Sequence, residues 1–208
     1  PIDPLPQITP IGSASKNVTI KGLDSLDTNT TYSFNFGESI EDNNEGNPFS
    51  NFKYVFSTGK YIDSLIVKGF VKDALEREID EGISLLLYAV DSTYNDSIIY
   101  MEKPKYMTKL VDSTSTFRLE NLKTGKYLLI ALKEEENERD YIYQNRSDKI
   151  GYAKNFLELP KDSLAEIQIF KEEIPFTINK PKQKTKHSFA FGFEGKIEKF
   201  KIDLLDPI

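Results

Sequence analysis

Apolar and polar residues alternate along most of this chain with a period of two, the pattern of β-strands that bury one face. The alternation is clear in residues 31–36 (TYSFNF) and returns in residues 52–56 (FKYVF) after the polar loop 41–48. No stretch has a helical period of useful length. The pattern therefore predicts an all-β chain.

The strongest apolar run covers residues 117–133, FRLENLKTGKYLLIALK. A short turn with Gly125 separates its two arms, and glycine supplies the positive φ of a tight reversal, so we predict a β-hairpin. The second arm is apolar at both parities, which indicates a central strand covered on both faces. With the apolar strands around residues 65–71, 83–90 and 165–170, this hairpin predicts a small antiparallel sandwich.

Composition and the positions of turn-forming residues divide the chain into three parts, residues 1–60, 61–173 and 174–208. Residues 1–16 hold four of the ten prolines and predict an irregular lead-in. The basic stretch 180–187 predicts a linker, and the aromatic alternation after it predicts the start of a further sandwich. The chain begins at Pro1 without a signal-peptide pattern, so we expect a removed leader or a piece of a longer protein.

Composition excludes several function classes. The chain has no cysteine and a single histidine, His187, so disulfides, thiolate zinc sites, cysteine nucleophiles and the usual histidine-based triads are ruled out or nearly so. The formal net charge of -6 disfavours a nucleic-acid partner, which needs a concentrated basic face. No apolar run approaches the roughly 18 residues of a membrane span. We expect no enzymatic activity.

Residues 30–59 resemble the final strands of a bacterial Ig-like domain of the surface-layer type. The matching pieces are the strand TYSFNFG, the loop DNNEGNP and the closing FSTG. The resemblance covers the last half of such a domain, so it implies that residues 1–60 are the C-terminal part of an Ig-like domain.

Residues 61–172 resemble the prealbumin-like regulatory domains found beside carboxypeptidases and the B-type repeats of bacterial adhesins. The most specific element is the phrase F-x-L-x-N-L-x-x-G-x-Y-x-L-x-A, which starts at Phe117. Together with the Ig-like resemblance, this carboxypeptidase regulatory-like resemblance implies tandem antiparallel β-sandwiches, first an Ig-like one and then a prealbumin-like one. The whole order resembles modular surface lipoproteins of Gram-negative bacteria. It implies a location at the cell surface or in the periplasm, with an outer-membrane anchor elsewhere in the parent protein.

An acidic loop offers one candidate metal site. Carboxylates at alternating spacing are ligands that calcium uses, and in relatives of the module this loop resembles an EF-hand-type turn. Here the loop lacks the sharp-turn glycine and contains Arg139, so a solvated charged loop is the alternative. We expect no other cofactor. The candidate calcium ligands are Glu134, Glu136, Glu138, Asp140 and Asp148.

A recurrent tripeptide offers candidate modification sites. A tripeptide of Asp, then Ser or Thr, then an aliphatic residue or Thr occurs six times, each time with Ser. It is similar to the sequon for periplasmic O-glycosylation in one phylum of Gram-negative bacteria. Asp-Ser pairs are also ordinary turn starters, so both interpretations stay open. The candidate O-glycosylation sites are Ser25, Ser64, Ser92, Ser97, Ser113 and Ser163.

The sequence favours a non-catalytic structural or adhesion module of a larger secreted protein, with a protein or glycan partner at the cell surface. The alternative is a glycan-binding module of a polysaccharide-capture system, in which tyrosines stack on sugars. A carboxylate-pair glycosidase is disfavoured, because no pair can be named. We expect any separable function in the loops 91–112 and 134–148. The candidate tyrosines in or beside them are Tyr94, Tyr100, Tyr106, Tyr141, Tyr143 and Tyr152.

Overall fold

The computed structural model describes residues 2–6, 11–13, 17–21, 25–42, 44–50, 52–110, 114–135, 140–196, 199 and 201. The described residues form seventeen β-strands and one short 3₁₀ turn, so the all-β prediction is confirmed. The chain divides into two compact units, residues 1–170 and 171–208. The three-part division predicted above stays a prediction. None of the described residues lies in a helix that could cross a membrane.

The first part of the larger unit contains a three-stranded antiparallel sheet in the order β1-β4-β5 and a separate two-stranded ladder, β2-β3. Tyr32 and Phe34 lie opposite Phe56 and Tyr54 in the β4-β5 register, so the predicted alternation gives this sheet an aromatic face. The strands are β1 (Ile2–Asp3), β2 (Ile11–Ser13), β3 (Thr19–Lys21), β4 (Thr31–Asn35) and β5 (Lys53–Ser57).

The second part of the larger unit is a sheet of eight strands in the order β8-β7-β10-β11-β13-β6-β9, with β12 also on β10. Buried side chains from both halves of this order, such as Leu85 and Val67, share one cluster. The sheet therefore folds over itself into a two-layer sandwich. Its strands are β6 (Leu65–Asp73), β7 (Ser84–Ala89), β8 (Tyr106–Lys109), β9 (Thr116–Leu122), β10 (Gly125–Lys133), β11 (Lys149–Tyr152), β12 (Leu157–Leu159) and β13 (Leu164–Lys171).

One strand pair departs from the predicted antiparallel sandwich. Strand β13 runs parallel to β6, with Leu164 opposite Lys68; the other ladders with a described register are antiparallel. Close packing of β13 against its two neighbours, β6 and β11, depends on a glycine in each neighbour. A Cβ at Gly69 would lie 1.9 Å from the Ala165 carbonyl oxygen, and one at Gly151 would lie 2.4 Å from that of Gln168.

The hairpin predicted for residues 117–133 is wrong. Strand β9 pairs with β6, whereas β10 pairs with β7, β11 and β12, so the turn joins the two layers as an arch. The sequence spacing of inward-facing side chains is the same in a hairpin and in an arch, because both place those side chains in one core. The sequence predicted a positive φ at Gly125, but the residue with a positive φ just before this turn is Asn121, at 57°. Gly125 serves another need: a Cβ there would lie 3.3 Å from the Tyr127 ring.

The prediction that the second arm is a central strand covered on both faces is confirmed. Leu129 of β10 faces the inner core, and Ile130 and Leu132 belong to a second buried cluster on the outer face of the sheet. Ile98, from the 3₁₀ turn Ile98–Tyr100, and Tyr143 also belong to this outer cluster. The loops 91–112 and 134–148, which were expected to carry function, therefore help to cover the outer face of the sheet.

Direct bonds join the three-stranded sheet to the sandwich. The amide of Met107 donates to Asp3 Oδ1 at 2.8 Å, and the Leu5 amide donates to the Lys105 carbonyl at 2.7 Å. Lys53 Nζ lies 2.7 Å from Glu120 Oε2. These bonds fix β1 and β5 against β8 and β9 within one compact unit.

The smaller unit contains two small antiparallel ladders, β14-β17 and β15-β16. The basic stretch 180–187 was expected as a linker, but it contains β15 and the turn into β16. All four residues of β15 are exposed, so no buried face marks this strand in the sequence. The strands are β14 (Thr177–Ile178), β15 (Lys182–Thr185), β16 (Ser188–Ala190) and β17 (Phe193–Glu194).

Candidate functional site

The acidic loop uses its described carboxylates to hold its own backbone. Glu134 Oε1 accepts from the Tyr141 amide at 2.8 Å, and Asp140 Oδ1 accepts from the Ile142 amide at 2.9 Å. The buried Asp148 accepts from the Gln144 amide and the Ser147 hydroxyl, both at 2.8 Å. Burial raises the pKa of Glu134, and the charges of Asp140 and Asp148 add to the rise.

These contacts bear on the calcium candidate. Glu136 and Glu138 lie outside the described residues. Among the described residues, no three His, Cys, Asp or Glu side chains form a group that could hold a metal ion. The five-carboxylate calcium site therefore stays a prediction, and its three described members are bonded to backbone amides.

Five of the six candidate glycosylation serines are described, and all five are exposed: Ser25, Ser64, Ser92, Ser97 and Ser163. Ser113 lies outside the described residues. Two of the preceding aspartates make local bonds: Asp91 Oδ1 accepts from the Thr93 amide at 2.9 Å, and Asp162 Oδ2 accepts from the Glu158 amide at 2.8 Å. These two aspartates thus shape turns, while the five described serines face solvent, and neither interpretation of the tripeptide excludes the other.

The six candidate tyrosines separate by burial. Tyr106 and Tyr143 are buried in the inner and outer clusters, and Tyr94 and Tyr141 are half-buried. Tyr100 and Tyr152 are exposed, and the Tyr100 ring lies 5.5 Å from that of Tyr143. Tyr152 combines high exposure with an open depression beside it.

This depression, the aromatic shelf, has a volume of about 490 Å³ and lies on the outer face of the sheet. Strand β10 places two side chains there, β11 one, and the loop between β11 and β12 most of the others, because alternate residues of neighbouring strands share a face. The lining includes Tyr94, Lys126, Leu128, Tyr152, Lys154, Asn155, Phe156 and Glu158.

Neighbouring side chains hold the rings of the aromatic shelf. The Tyr152 ring meets Phe170 at 6.4 Å, edge to face, and the Phe156 ring meets Tyr94 at 5.6 Å in the same way. Lys126 Nζ lies 4.7 Å from the centre of the Phe156 ring, within cation–π range. The side chains remain accessible: 58% of the Tyr152 surface and 37% of the Phe156 surface are exposed.

A second cleft, of about 440 Å³, lies between residues 4–6 and the loop that follows β7. Its titratable lining includes Tyr88 and Asp91. Burial raises the pKa of Tyr88 above its ordinary value, and the hydroxyl and amide of Thr93 lower that of Asp91. Both shifts move away from neutral pH, whereas a general acid or base needs a pKa near it.

Sequence reasoning found Tyr152 but missed its surroundings. Lys126, Lys154 and Phe156 reach the shelf from β10 and from the loop after β11. The hexapeptide GYAKNF, residues 151–156, carried a signal, since two aromatics flank a lysine and an asparagine. The contribution of Lys126 depends on strand pairing that no local pattern encodes.

A family model of the bacterial Ig-like domain matches residues 3–58. This match confirms the predicted Ig-like character of the first part and extends it upstream of residue 30. Domains of this kind typically occur in extracellular or surface proteins, consistent with a non-catalytic surface module. Searches of curated proteins and of solved structures give no match. The prealbumin-like resemblance of residues 61–173 stays a prediction.

Proposed function

We propose that this chain is a non-catalytic structural module of a larger, outer-membrane-anchored cell-surface protein. The Ig-like part and the sandwich act together as one rigid spacer that supports adhesion. The proposal rests on the contacts that join the two parts, which include the Asp3–Met107 hydrogen bond and the Lys53–Glu120 ion pair. A spacer needs such a junction, because domains joined only by a linker move independently.

Two further observations support this proposal. The family match to residues 3–58 is to a domain class typical of surface proteins. In the 440 Å³ cleft, burial raises the pKa of Tyr88 and the Thr93 hydroxyl lowers that of Asp91, both away from neutral pH, so neither of these two groups is suited to acid–base catalysis. The carboxypeptidase regulatory-like assignment of residues 61–173, in which such a sandwich supports a neighbouring domain, belongs to the same proposal.

Calorimetry tests the spacer. Residues 1–170 form one compact unit, so we expect the Ig-like part and the sandwich to unfold in a single transition with equal calorimetric and van't Hoff enthalpies. Near-ultraviolet circular dichroism of tyrosine, which both parts contain, follows the same transition. Separate melting of the Ig-like part, well below the sandwich, would contradict a rigid spacer.

O-glycosylation of the exposed serines is part of the proposal, because sugar on surface loops protects an extracellular spacer from proteolysis. Glycopeptide mass spectrometry of the natively expressed protein is expected to find sugar on Ser64 and Ser163. Ser39 is the matched control, since it is exposed but follows Glu38. Bare hydroxyls at all the candidate serines would end this part of the proposal.

Glycan binding is the second candidate function. The aromatic shelf favours it, because Tyr152 is an exposed ring beside polar side chains that can bond to sugar hydroxyls. A glycan array tests this candidate. Binding that Tyr152→Ala abolishes would support it, and an array without hits would leave only the spacer.

A further inference from the structure

We propose that the aromatic shelf binds an acidic carbohydrate: a sugar ring lies against Tyr152, and its carboxylate pairs with the amines of Lys126 and Lys154. The inference rests on the second proposed function, glycan binding, and names its ligand class. It is independent of the spacer proposal.

Tyr152 suits the stacking role by its exposure and its support. A sugar ring presents a face of C–H groups that packs on an exposed aromatic ring, while its edge carries hydroxyls. Tyr152 is more than half exposed, and its ring is supported from the side by Phe170. A ring already fixed by a neighbour loses little conformational freedom when a ligand binds, so it contributes more to affinity.

Phe156 and Lys126 form a wall of the shelf that presents a positive charge. The Phe156 ring holds the Lys126 amine by a cation–π contact at 4.7 Å, and Tyr94 supports that ring. This contact places the amine beside the depression. An amine held in this way can meet a carboxylate at a smaller entropic cost.

The charge balance of the shelf favours an anion. Its lining contains two lysines, Lys126 and Lys154, and one carboxylate, Glu158, so it carries a local charge of +1 in a chain of net charge -6. Within the described part of the chain, neither amine forms an ion pair. Glu158 Oε2 instead lies 4.0 Å from Lys161 Nζ. Two amines without carboxylate partners in an acidic protein are suited to an anionic ligand.

The size of the shelf favours a carbohydrate over a protein partner. A volume of about 490 Å³ is in the range of small-ligand sites, roughly 300–1,000 Å³. A stable protein interface needs roughly 800 Å² on each partner. Lys154, Asn155 and Glu158 on the lining can donate to or accept from sugar hydroxyls, as recognition of a polyol requires.

Isothermal titration of the full chain with oligogalacturonate, and with a neutral gluco-oligosaccharide of equal length, tests the inference. We expect oligogalacturonate to bind more tightly, and added salt to reduce that preference. Tyr152→Ala is expected to weaken binding about tenfold, and Lys126→Gln and Lys154→Gln about two- to fivefold each. Tyr61→Ala and Lys109→Gln, at exposed residues outside the shelf lining, are the matched controls and should bind like the wild type.

The outcomes separate the inference from the functions on which it rests. Tyr152-dependent binding of the neutral sugar alone would overturn the acidic preference and leave glycan binding in place. Binding that survives Tyr152→Ala would overturn the site, provided that two-dimensional NMR spectra show the variant folded. No binding of either sugar at millimolar concentration would overturn the inference and leave the spacer to its calorimetric test. Capture of a protein partner that depends on Tyr152, without sugar binding, would assign the shelf to protein recognition and also overturn the inference.

Discussion

Thr31 and Asp63 exchange two hydrogen bonds. The Thr31 hydroxyl donates to Asp63 Oδ2 at 2.9 Å and accepts from the Asp63 amide at 2.7 Å. Thr31 lies on the Ig-like sheet, and Asp63 leads into the first strand of the sandwich. The Asp63 carbonyl also accepts from Asn121 Nδ2 at 3.0 Å, so this aspartate joins the Ig-like sheet to the arch between the layers.

Thr31→Val should therefore destabilise the larger unit. Valine has nearly the shape of threonine but cannot make either bond, and it leaves the Asp63 amide without its partner. Since the Thr31 side chain is buried, we expect a loss of about 1–3 kcal/mol in the free energy of unfolding, measured by urea denaturation. Thr19→Val, at an exposed position of β3, is the control. Equal stability of the two variants would show that the pair does not hold the junction.

Much of the strand pattern could be predicted because it depends on local alternation. Residues 31–36 predicted β4 through their period of two, although the expected burial of one face is wrong, because Thr31 and Ser33 on its polar face are buried as well. The double-sided burial of β10 followed from apolar residues at both parities. In each case burial acts on the residues of one strand, so the sequence of that strand is sufficient.

Pairing and site assembly could not be predicted in the same way. Phe117 and Tyr127 point into one core from opposite layers, and their spacing is the same in a hairpin. Tyr94, Lys126 and Phe156 meet at the shelf from three distant parts of the chain. Tyr106 and Tyr143 are buried, because neighbouring strands and loops cover them rather than because of any local pattern.

The turn of the arch is held by its own tyrosine. Tyr127 Oη donates to the Lys123 carbonyl at 2.9 Å, a bond from a tyrosine back to the chain just before it. Tyr127→Phe keeps the packing and loses the bond, so we expect a loss of about 1 kcal/mol in thermal or urea unfolding. Tyr61→Phe, at an exposed residue, should change nothing. A loss of the same size in both variants would contradict a structural role for this hydroxyl.

The junction should also respond to pH through Asp3. Burial raises the pKa of Asp3 to about 6, although the Met107 amide opposes the rise. The folded chain then binds a proton more tightly than the unfolded chain, so stability falls as pH rises from about 4 to about 6, by about 3 kcal/mol at most. Asp3→Asn removes this titration and keeps an acceptor oxygen for Met107.

We therefore expect Asp3→Asn to be more stable than the wild type at pH 7, with the difference vanishing towards pH 4 in urea titrations. Asp91→Asn is a control for which the expected change in stability at pH 7 has the opposite sign. The Thr93 hydroxyl lowers the pKa of Asp91, so this variant should be the less stable protein at pH 7. A constant difference between Asp3→Asn and the wild type over this range would rule out titration of Asp3.

Lys149 holds the end of β6 and the turn that follows it. Its amine lies 3.0 Å from Asp73 Oδ2 and 2.8 Å from Asp80 Oδ2, and these bonds, with Asp80 first, raise the pKa of Lys149. Burial opposes ionisation of Asp73, but the amides of Leu75 and Glu76 and the Lys149 amine outweigh it and lower the pKa of Asp73.

Lys149→Met should be among the more damaging surface substitutions in this chain. It leaves the Asp73 carboxylate, whose side chain is 4% exposed, without a cation. Removing one partner of a fully buried pair costs about 3–5 kcal/mol. Because the Lys149 side chain is itself 21% exposed, we expect about 2–3 kcal/mol in urea denaturation.

Two further variants make the Lys149 prediction specific to its charge. Lys161→Met removes an amine that lies 4.0 Å from Glu158 in a largely exposed pair, and it should cost less than about 1 kcal/mol. The double variant Lys149→Met with Asp80→Asn should lose less than the sum of the two single changes, because it removes one of the carboxylates left unpaired. Additive losses in this cycle, or a Lys149→Met loss no larger than that of Lys161→Met, would mean that packing of the lysine stem, rather than its charge, holds β11 to the β6–β7 turn.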